Sequence, residues 1–380
     1  MKQLLLALIL PLLAVFPAAA DTKAPLIPAP PALAARSWIL IDWQSRQPLV
    51  VKDADKRVEP ASLTKLMTAW LVFDALKQKR ISLDQVMTVS DRGYRAEGSR
   101  MFLEPRIPAT IEDLMKGMIV QSGNDATITL AEAVAGSETT FVDLMNKTAQ
   151  RMGLAGTHFM NSTGLPDAQH YTTARDLATL AANIIRDFPE HFPLYSMREF
   201  KYNNITQYNR NRLLLIDPHV DGLKTGFTES AGYCLIATAK RAPRRLISVV
   251  LGTASDSARA QESLKLLNYG FQFYETVRLY TKGQTVSALR VYKGADSEVK
   301  AGFMEDFHIS APLGTAARLK ATLESVQPLI APVEAGNRVG TLKLTLDGKP
   351  WGEYPVVALE TVRIANIFGR GLDTLRLMFK

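Results

Sequence analysis

Cysteine is all but missing: Cys234 is the single one in 380 residues. No disulfide can close within the chain, so stability has to come from packed apolar cores. The cysteine sits in the run Tyr233-Cys234-Leu235-Ile236-Ala237, where a small buried hydrophobe is expected rather than a redox group. The five histidines are scattered and no His/Cys/Asp/Glu cluster has metal-ligand spacing, so neither a metal nor another cofactor is expected. Charge of one sign is not concentrated either. The 45 basic residues exceed the 37 acidic ones by eight, without a Lys/Arg tract or an interleaved aromatic pattern. Nucleic acid is therefore not an expected partner, and a polyanionic surface such as a cell wall or an anionic membrane suits the modest surplus better. No internal repeat occurs.

What is present is an ordinary globular composition, 47% apolar, in a chain long enough for two domains. Residues 1–20 read as a secretory signal: Lys2 gives a charged start, Leu4 to Phe16 an apolar run, and Ala18-Ala19-Ala20 a small-residue cleavage site before Asp21. Residues 21–35, rich in Pro and Ala, read as a leader, with order beginning at Ser37. Residues 36–275 then run strands, helices, strands, helix. A hairpin over Trp38 to Trp43 and Pro48 to Lys52 leads to a helix ending near Lys77. A strand-like piece from Gln85 to Val89 and a loop from Asp91 to Pro108 follow, and the loop holds the run Gly98 to Leu103. Helices are expected from Thr110 to Gln121, Asp125 to Ala135, Thr139 to Met152 and Thr173 to Asp187. Strands return at Val220, Gly232 to Lys240 and Leu246 to Thr253, before a helix from Ser257 to Tyr274. This order implies an α+β domain, an antiparallel sheet flanked by helices with a helical insertion. Residues 276–360 change to short alternating runs with a hairpin signal at Asp347-Gly348, and are expected to form a separate small β-domain without catalytic groups.

Three short motifs carry chemistry. In Ser62-Leu63-Thr64-Lys65 the serine and lysine are three apart, so on a helix they share a face. Burial that strips the ammonium of water would let the lysine act as base for the hydroxyl, and the helix start offers unpaired N–H groups to an oxyanion. Alone, the motif is more simply an N-cap serine on a core helix. Ser122-Gly123-Asn124 links two helices and, alone, is an ordinary polar turn. Lys224-Thr225-Gly226 leads out of a strand. All three together, in this order and 60 and 102 positions apart, are far more specific.

The set resembles the serine penicillin-interacting enzymes, most closely the D-alanyl-D-alanine carboxypeptidases, the low-molecular-mass penicillin-binding proteins. Met101-Phe102-Leu103, Thr173-Ala174-Arg175-Asp176, the run Asn209 to Leu214 and Asp221-Gly222-Leu223 extend the likeness to nearly the whole chain. The resemblance implies a β-lactamase/transpeptidase-like fold and a serine peptidase that removes the terminal D-alanine from peptidoglycan stem peptides and is acylated by β-lactams. Ser62 would attack. Lys65 would be its base, kept neutral by burial and by the cation Lys224. Ser122 would relay a proton, and Asn124 would donate to the substrate amide and hold Lys65 in place. Lys224, Thr225 and Arg210 would bind the terminal carboxylate, Gly226 would let the strand approach the substrate, and the backbone N–H groups of Ser62 and Phe227 would form the oxyanion hole. Arg210 and Asp176 also read as ordinary ion-pair residues.

Two rival readings use the same residues. A class A β-lactamase needs an acidic residue on the loop after the second motif, and His158 to Gly164 has none, with Asp167 the nearest candidate. A non-catalytic wall-binding scaffold is the other, although all three motifs are intact. The last stretch, 361–380, reads as an amphipathic helix starting near Val362, with Ile364, Phe368, Leu372, Leu375 and Phe379 on one stripe. Its arginines and Lys380 against the single Asp373 suit an anionic lipid surface, and the stretch is too short and charged to span a bilayer. Such a tail would hold a periplasmic enzyme on the outer face of the cytoplasmic membrane, unless it docks on the β-domain instead.

Overall fold

The computed structural model describes residues 27–366 and 373–374. The expected signal, the first part of the leader and most of the expected tail helix lie outside the described residues.

Five antiparallel strands form the central sheet, in the order Pro48–Lys52, Ser37–Asp42, Arg244–Thr253, Gly232–Arg241, Val220–Thr228. Side chains alternate between the faces of a strand, and both faces are covered here. Ile39, Ile41, Ile247 and Val249 join the helical core, while Leu40, Leu246 and Val250 pack toward the Asp256–Phe273 helix. Val220–Thr228, which carries the third motif, is left as an edge strand. The helices Lys65–Lys77, Asn124–Ala135, Glu138–Arg151 and Ala174–Asp187 fall where expected. Ser137 and Thr173 cap the last two of these, and Thr110 caps the helix Ile111–Lys116, each accepting from the backbone N–H three positions on.

Before the β-unit, three features differ from the expectation. Inside the expected loop 91–108, Ser90 caps a short helix, Asp91–Tyr94. Between the helical region and Val220 an unexpected hairpin pairs Glu199–Tyr202 with Ile205–Tyr208, turning at Asn203-Asn204 with φ of 45° and 61°. Asparagine tolerates that left-handed conformation, so the Asn-Asn pair was the available cue. Order also begins before Ser37. Leu33 is buried, Ile27 and Ala35 pack on the sheet's second face, and the Pro28 carbonyl accepts from the Tyr269 hydroxyl at 2.8 Å.

Beyond Phe273 a six-stranded sheet and the pair Tyr274–Tyr280 and Phe307–Pro312 enclose their own core of Val291, Val299, Ile309, Leu342, Leu344 and Val356. The strands Arg338–Leu346 and Lys349–Ala358 turn at Asp347-Gly348 as expected. This β-unit docks through polar contacts on the turn between the first two strands of the chain. Asp42 accepts from Thr276 Oγ1 at 2.5 Å, the Ser45 and Ser310 hydroxyls lie 2.8 Å apart, and the Gln47 side chain accepts from Ser310 N at 2.6 Å. No helix starts at Val362. Val362 and Ile364 are extended and bridge to Val333 and Gly294, with Val362 buried in the β-core, because its apolar side chain completes that small core. Residues 373–374 are helical, and no helix among the described residues is long and apolar enough to cross a membrane.

Candidate active site

Ser62 lies in the 3-10 turn Ala61–Thr64 that leads directly into the Lys65–Lys77 helix. Lys65 is only 1% exposed. Its Nζ donates to Ser62 Oγ at 2.9 Å and to the Thr163 carbonyl at 2.8 Å. Burial is the main cause that lowers its pKa from 10.5 to about 7, with Arg210 adding repulsion and Asp125 opposing. Two expectations change here. The cation acting on Lys65 is Arg210 rather than Lys224, whose own pKa is held well below the ordinary value by burial and then by Lys65, Arg210 and Arg259. The second group holding Lys65 is Thr163, not Asn124.

The loop that supplies Thr163 is built by one side chain. Asn161 Oδ1 accepts from the N–H groups of Thr163, Gly164 and Leu165 at 3.2, 2.7 and 3.1 Å. Gly164 adopts φ of 87°, and a methyl there would overlap the Ala61 carbonyl, so only glycine lets this loop lie against the Ser62 turn. From behind, the buried Glu138 carboxylate accepts from Ser162 N at 3.0 Å and Oγ at 2.7 Å. The Ser62 turn is held on this side too: Thr64 Oγ1 lies 3.0 Å from His170 Nε2, and burial lowers that imidazole's pKa to about 4, leaving it neutral.

Ser122 sits at φ of 67°, where the Gly117–Gln121 turn ends and the Asn124–Ala135 helix begins. Its hydroxyl and Asn124 Oδ1 are buried without a hydrogen-bond partner among the described residues. Asn124 Nδ2 donates to the Glu97 carbonyl at 2.5 Å. Asp125, which the sequence reading passed over, anchors the loop opposite: its carboxylate, fully buried, accepts from Met101 N at 2.9 Å and Leu103 N at 3.0 Å. That explains why the run Gly98 to Leu103 lies at the site. The cue was an acid beside the second motif, but its partners are more than twenty positions away.

On the edge strand, Gly226 has a use beyond the expected approach to substrate. A Cβ there would meet Ala61 Cβ, Leu63 Cγ and the Pro60 carbonyl, each at 3.2 Å, so the bare glycine lets the strand lie against the Ser62 turn. Asn211 Nδ2 donates to the Gly222 carbonyl at 2.9 Å and fixes the segment that carries Arg210. Phe227 is 43% exposed and stacks on Tyr233 with centroids 4.3 Å apart. Arg259 was also missed. Buried on the last helix, it donates to the Gly226 carbonyl at 3.2 Å, pairs with Asp256 and lies over Tyr233.

These elements enclose a cavity of about 650 Å³ lined by Ser62, Ser122, Asn124, Arg210, Thr225, Gly226 and Phe227, among others. Lys65 and Lys224 lie buried behind that wall. Asp176 is elsewhere, accepting from Gly156 N and Thr157 Oγ1. Asp167 does not line the cavity and accepts from Gln169 N instead. Among the described residues the one carboxylate on the cavity wall is Asp256, which Arg259 and Arg212 engage.

Residues 24–255 match the family model for D-alanyl-D-alanine carboxypeptidase, and residues 274–363 match that for the penicillin-binding protein 5 C-terminal domain. The chain is 42% identical over 357 residues to the D-alanyl-D-alanine carboxypeptidase DacC of Escherichia coli, covering 92% of this chain and 89% of that protein. It is 40% identical to DacA of Haemophilus influenzae, with 92% and 91% covered. Among solved structures, penicillin-binding protein 5 from Haemophilus influenzae superposes with a TM-score of 0.83 at 40% identity, over 88% of this chain and 99% of that one. Penicillin-binding protein D2 from Listeria monocytogenes, solved in an ampicillin-bound form, gives 0.59 at 31% identity over 63% of this chain and 98% of that one.

Proposed function

The chain belongs to the D-alanyl-D-alanine carboxypeptidase family and is a serine DD-carboxypeptidase; from that premise we propose that Ser62 is its nucleophile and Lys65 its base. The observation that carries the assignment is the buried Lys65 Nζ, 2.9 Å from Ser62 Oγ with its pKa brought down to about 7. Ser62 Oγ attacks the carbonyl of the penultimate D-alanine of a peptidoglycan stem peptide and gives its proton to neutral Lys65. The carbonyl oxygen gathers negative charge, which the N–H groups of Ser62 and Phe227 stabilise; one such donor contributes about 3 kcal/mol in comparable sites. The tetrahedral adduct collapses, the C–N bond breaks, and the departing D-alanine nitrogen receives a proton relayed through Ser122. Water then cleaves the ester on Ser62 and restores the hydroxyl.

Lys224, Thr225 and Arg210 hold the terminal carboxylate. A carboxylate placed beside Lys224 offsets the burial that depresses its pKa and so favours its charged form. Asn124 donates to the substrate amide with the side chain whose Nδ2 also reaches Glu97. A β-lactam presents its own carboxylate to the same groups and acylates Ser62. With no acidic group on the 158–164 loop and Asp256 tied to two arginines, hydrolysis of that adduct is slow.

Around this centre we assign 1–20 as a secretory signal, 36–275 as the peptidase domain, 276–360 as the β-domain, and the tail as an amphipathic anchor. The anchor sets a periplasmic enzyme on the outer face of the cytoplasmic membrane. The catalytic assignment is tested by mass spectrometry of the intact protein with a D-Ala-D-Ala peptide and, separately, with penicillin. Wild type releases D-alanine and gains one long-lived penicilloyl group on Ser62, and Ser62→Ala does neither. Labelling of the variant at another residue, or rapid multiple turnover of penicillin by wild type, refutes the assignment.

A further inference from the structure

At the sheet edge opposite the catalytic cavity, a second cavity of about 290 Å³ opens between the first strand and the Ala174–Asp187 helix. Its helix wall is a single stripe at helical spacing: Arg175, Ala178, Thr179, Ala182, Asn183 and Arg186. The two alanines leave the room, and Ile39 and Ile41, alternate residues of one strand, make an apolar floor. Arg46 and Pro48 close the rim.

Two side chains here have polar capacity that the protein does not use. Asn183 is 8% exposed, lines the cavity, and its amide makes no side-chain hydrogen bond among the described residues. Arg175 and Arg186 are engaged by Asp55 and Asp187, whereas Arg46 has no carboxylate within 4 Å among the described residues and feels Asp187 and Glu305 only from farther off, against repulsion from Arg186. Arg46 also stands at φ of 60°, a conformation that glycine or asparagine adopts at less cost. Its guanidinium lies 5.7 Å from the centre of the Trp43 ring, and Trp43 Nε1 donates to the Ala182 carbonyl at 3.2 Å, so the turn that carries Arg46 is pinned to the helix wall. An exposed guanidinium with no carboxylate within 4 Å, lining the same apolar-floored cavity as a buried amide with no partner, is the chemistry that receives an oxyanion on a short apolar body.

We propose that this cavity is a second binding site, for a small ligand that bears a carboxylate or phosphate on a short apolar body, held by Arg46 and Asn183. A wall peptide with a free carboxylate and a lipid headgroup phosphate share that chemistry. Neither Arg46 nor Asn183 belongs to the catalytic cavity, so the site stands or falls apart from the peptidase assignment.

The test uses the full chain with Ser62 first acylated by penicillin, so that the catalytic cavity is occupied. Binding of N-acetyl-alanyl-alanine and of glycerol phosphate is followed by calorimetry and by the fluorescence of Trp43, against Arg46→Ala, Asn183→Asp and Ala178→Leu. Saturable binding of either probe at millimolar concentration, weakened about tenfold or more in Arg46→Ala and Asn183→Asp and abolished in Ala178→Leu, supports the site, and the probe that binds identifies the source. Unmodified variants should release D-alanine at the wild-type rate, which verifies their folding. If neither probe binds, or if correctly folded variants bind as wild type does, the site does not exist.

Discussion

At the scale of single residues, Lys65 has the largest consequence, because the burial that suits it to the proposed role of base also opposes folding. Its pKa is about 7 in the folded chain and 10.5 when exposed. Between those values the unfolded state holds a proton that the folded state has released, so unfolding free energy rises with pH across that window. The penalty is present in full below pH ~7 and fades toward ~10.5, and a shift of this size corresponds to at most about 5 kcal/mol. Lys65→Met, which keeps the volume and removes the charge, should therefore be at least as stable as wild type at neutral pH. It should lose the pH-dependent gain and acylate with penicillin at least about a thousandfold more slowly. Thermal melts and labelling rates across pH check this. A variant with wild-type labelling, or with the same pH slope in its melting temperature, contradicts the assigned state. In wild type, acylation should rise with pH through about 7 as Lys65 loses its proton.

At the scale of elements, the site is made by loops clamped to helix starts. Asp125 opens the Asn124–Ala135 helix and holds Met101 and Leu103, while Asn161 shapes the turn whose Thr163 carbonyl holds Lys65. Asp125→Ala leaves two buried N–H groups without acceptors, a loss of about 2–4 kcal/mol. The 98–103 loop would then loosen from the second motif. Melting temperature should fall, and penicillin acylation should drop through weaker binding more than through a slower chemical step. Wild-type stability in this variant would show that the carboxylate is not the clamp. Secondary structure here was largely legible in the sequence, since the capping residues Thr110 and Thr173 and the apolar periodicities mark element starts and faces. The clamps were not, because a backbone N–H acceptor has no signature in the chain until folding brings it near.

For the whole molecule, the β-unit rests on the Asp42 to Pro48 turn, and Val362 belongs to its core. Any removal of the proposed anchor must therefore begin after residue 366. Deleting 367–380 should move the protein from the membrane to the soluble fraction without changing D-alanine release from a soluble peptide. Fractionation and an activity assay check this, and a truncated protein that stays on the membrane refutes the anchor. A deletion from 362 would instead unseat the β-core and confuse loss of anchoring with loss of fold.

The sequence by itself determined the order and spacing of the three motifs, the main helices and strands of the first domain, the Asp347-Gly348 hairpin and the family likeness. The elements and the hairpin depend on local periodicity, capping and turn chemistry, which neighbouring residues express on their own, and the family likeness rests on the motifs as resemblance. Only the tertiary structure decided that Thr163 rather than Asn124 holds Lys65, that Arg210 rather than Lys224 is the cation acting on it, and that Gly226 makes room for the Ser62 turn. It also brought Arg259 and Asp256 to the cavity and left Asn183 without a partner beside Arg46. Each of these depends on desolvation and on contacts between distant segments, and a periodicity can state which face of an element is buried but not what that face will meet.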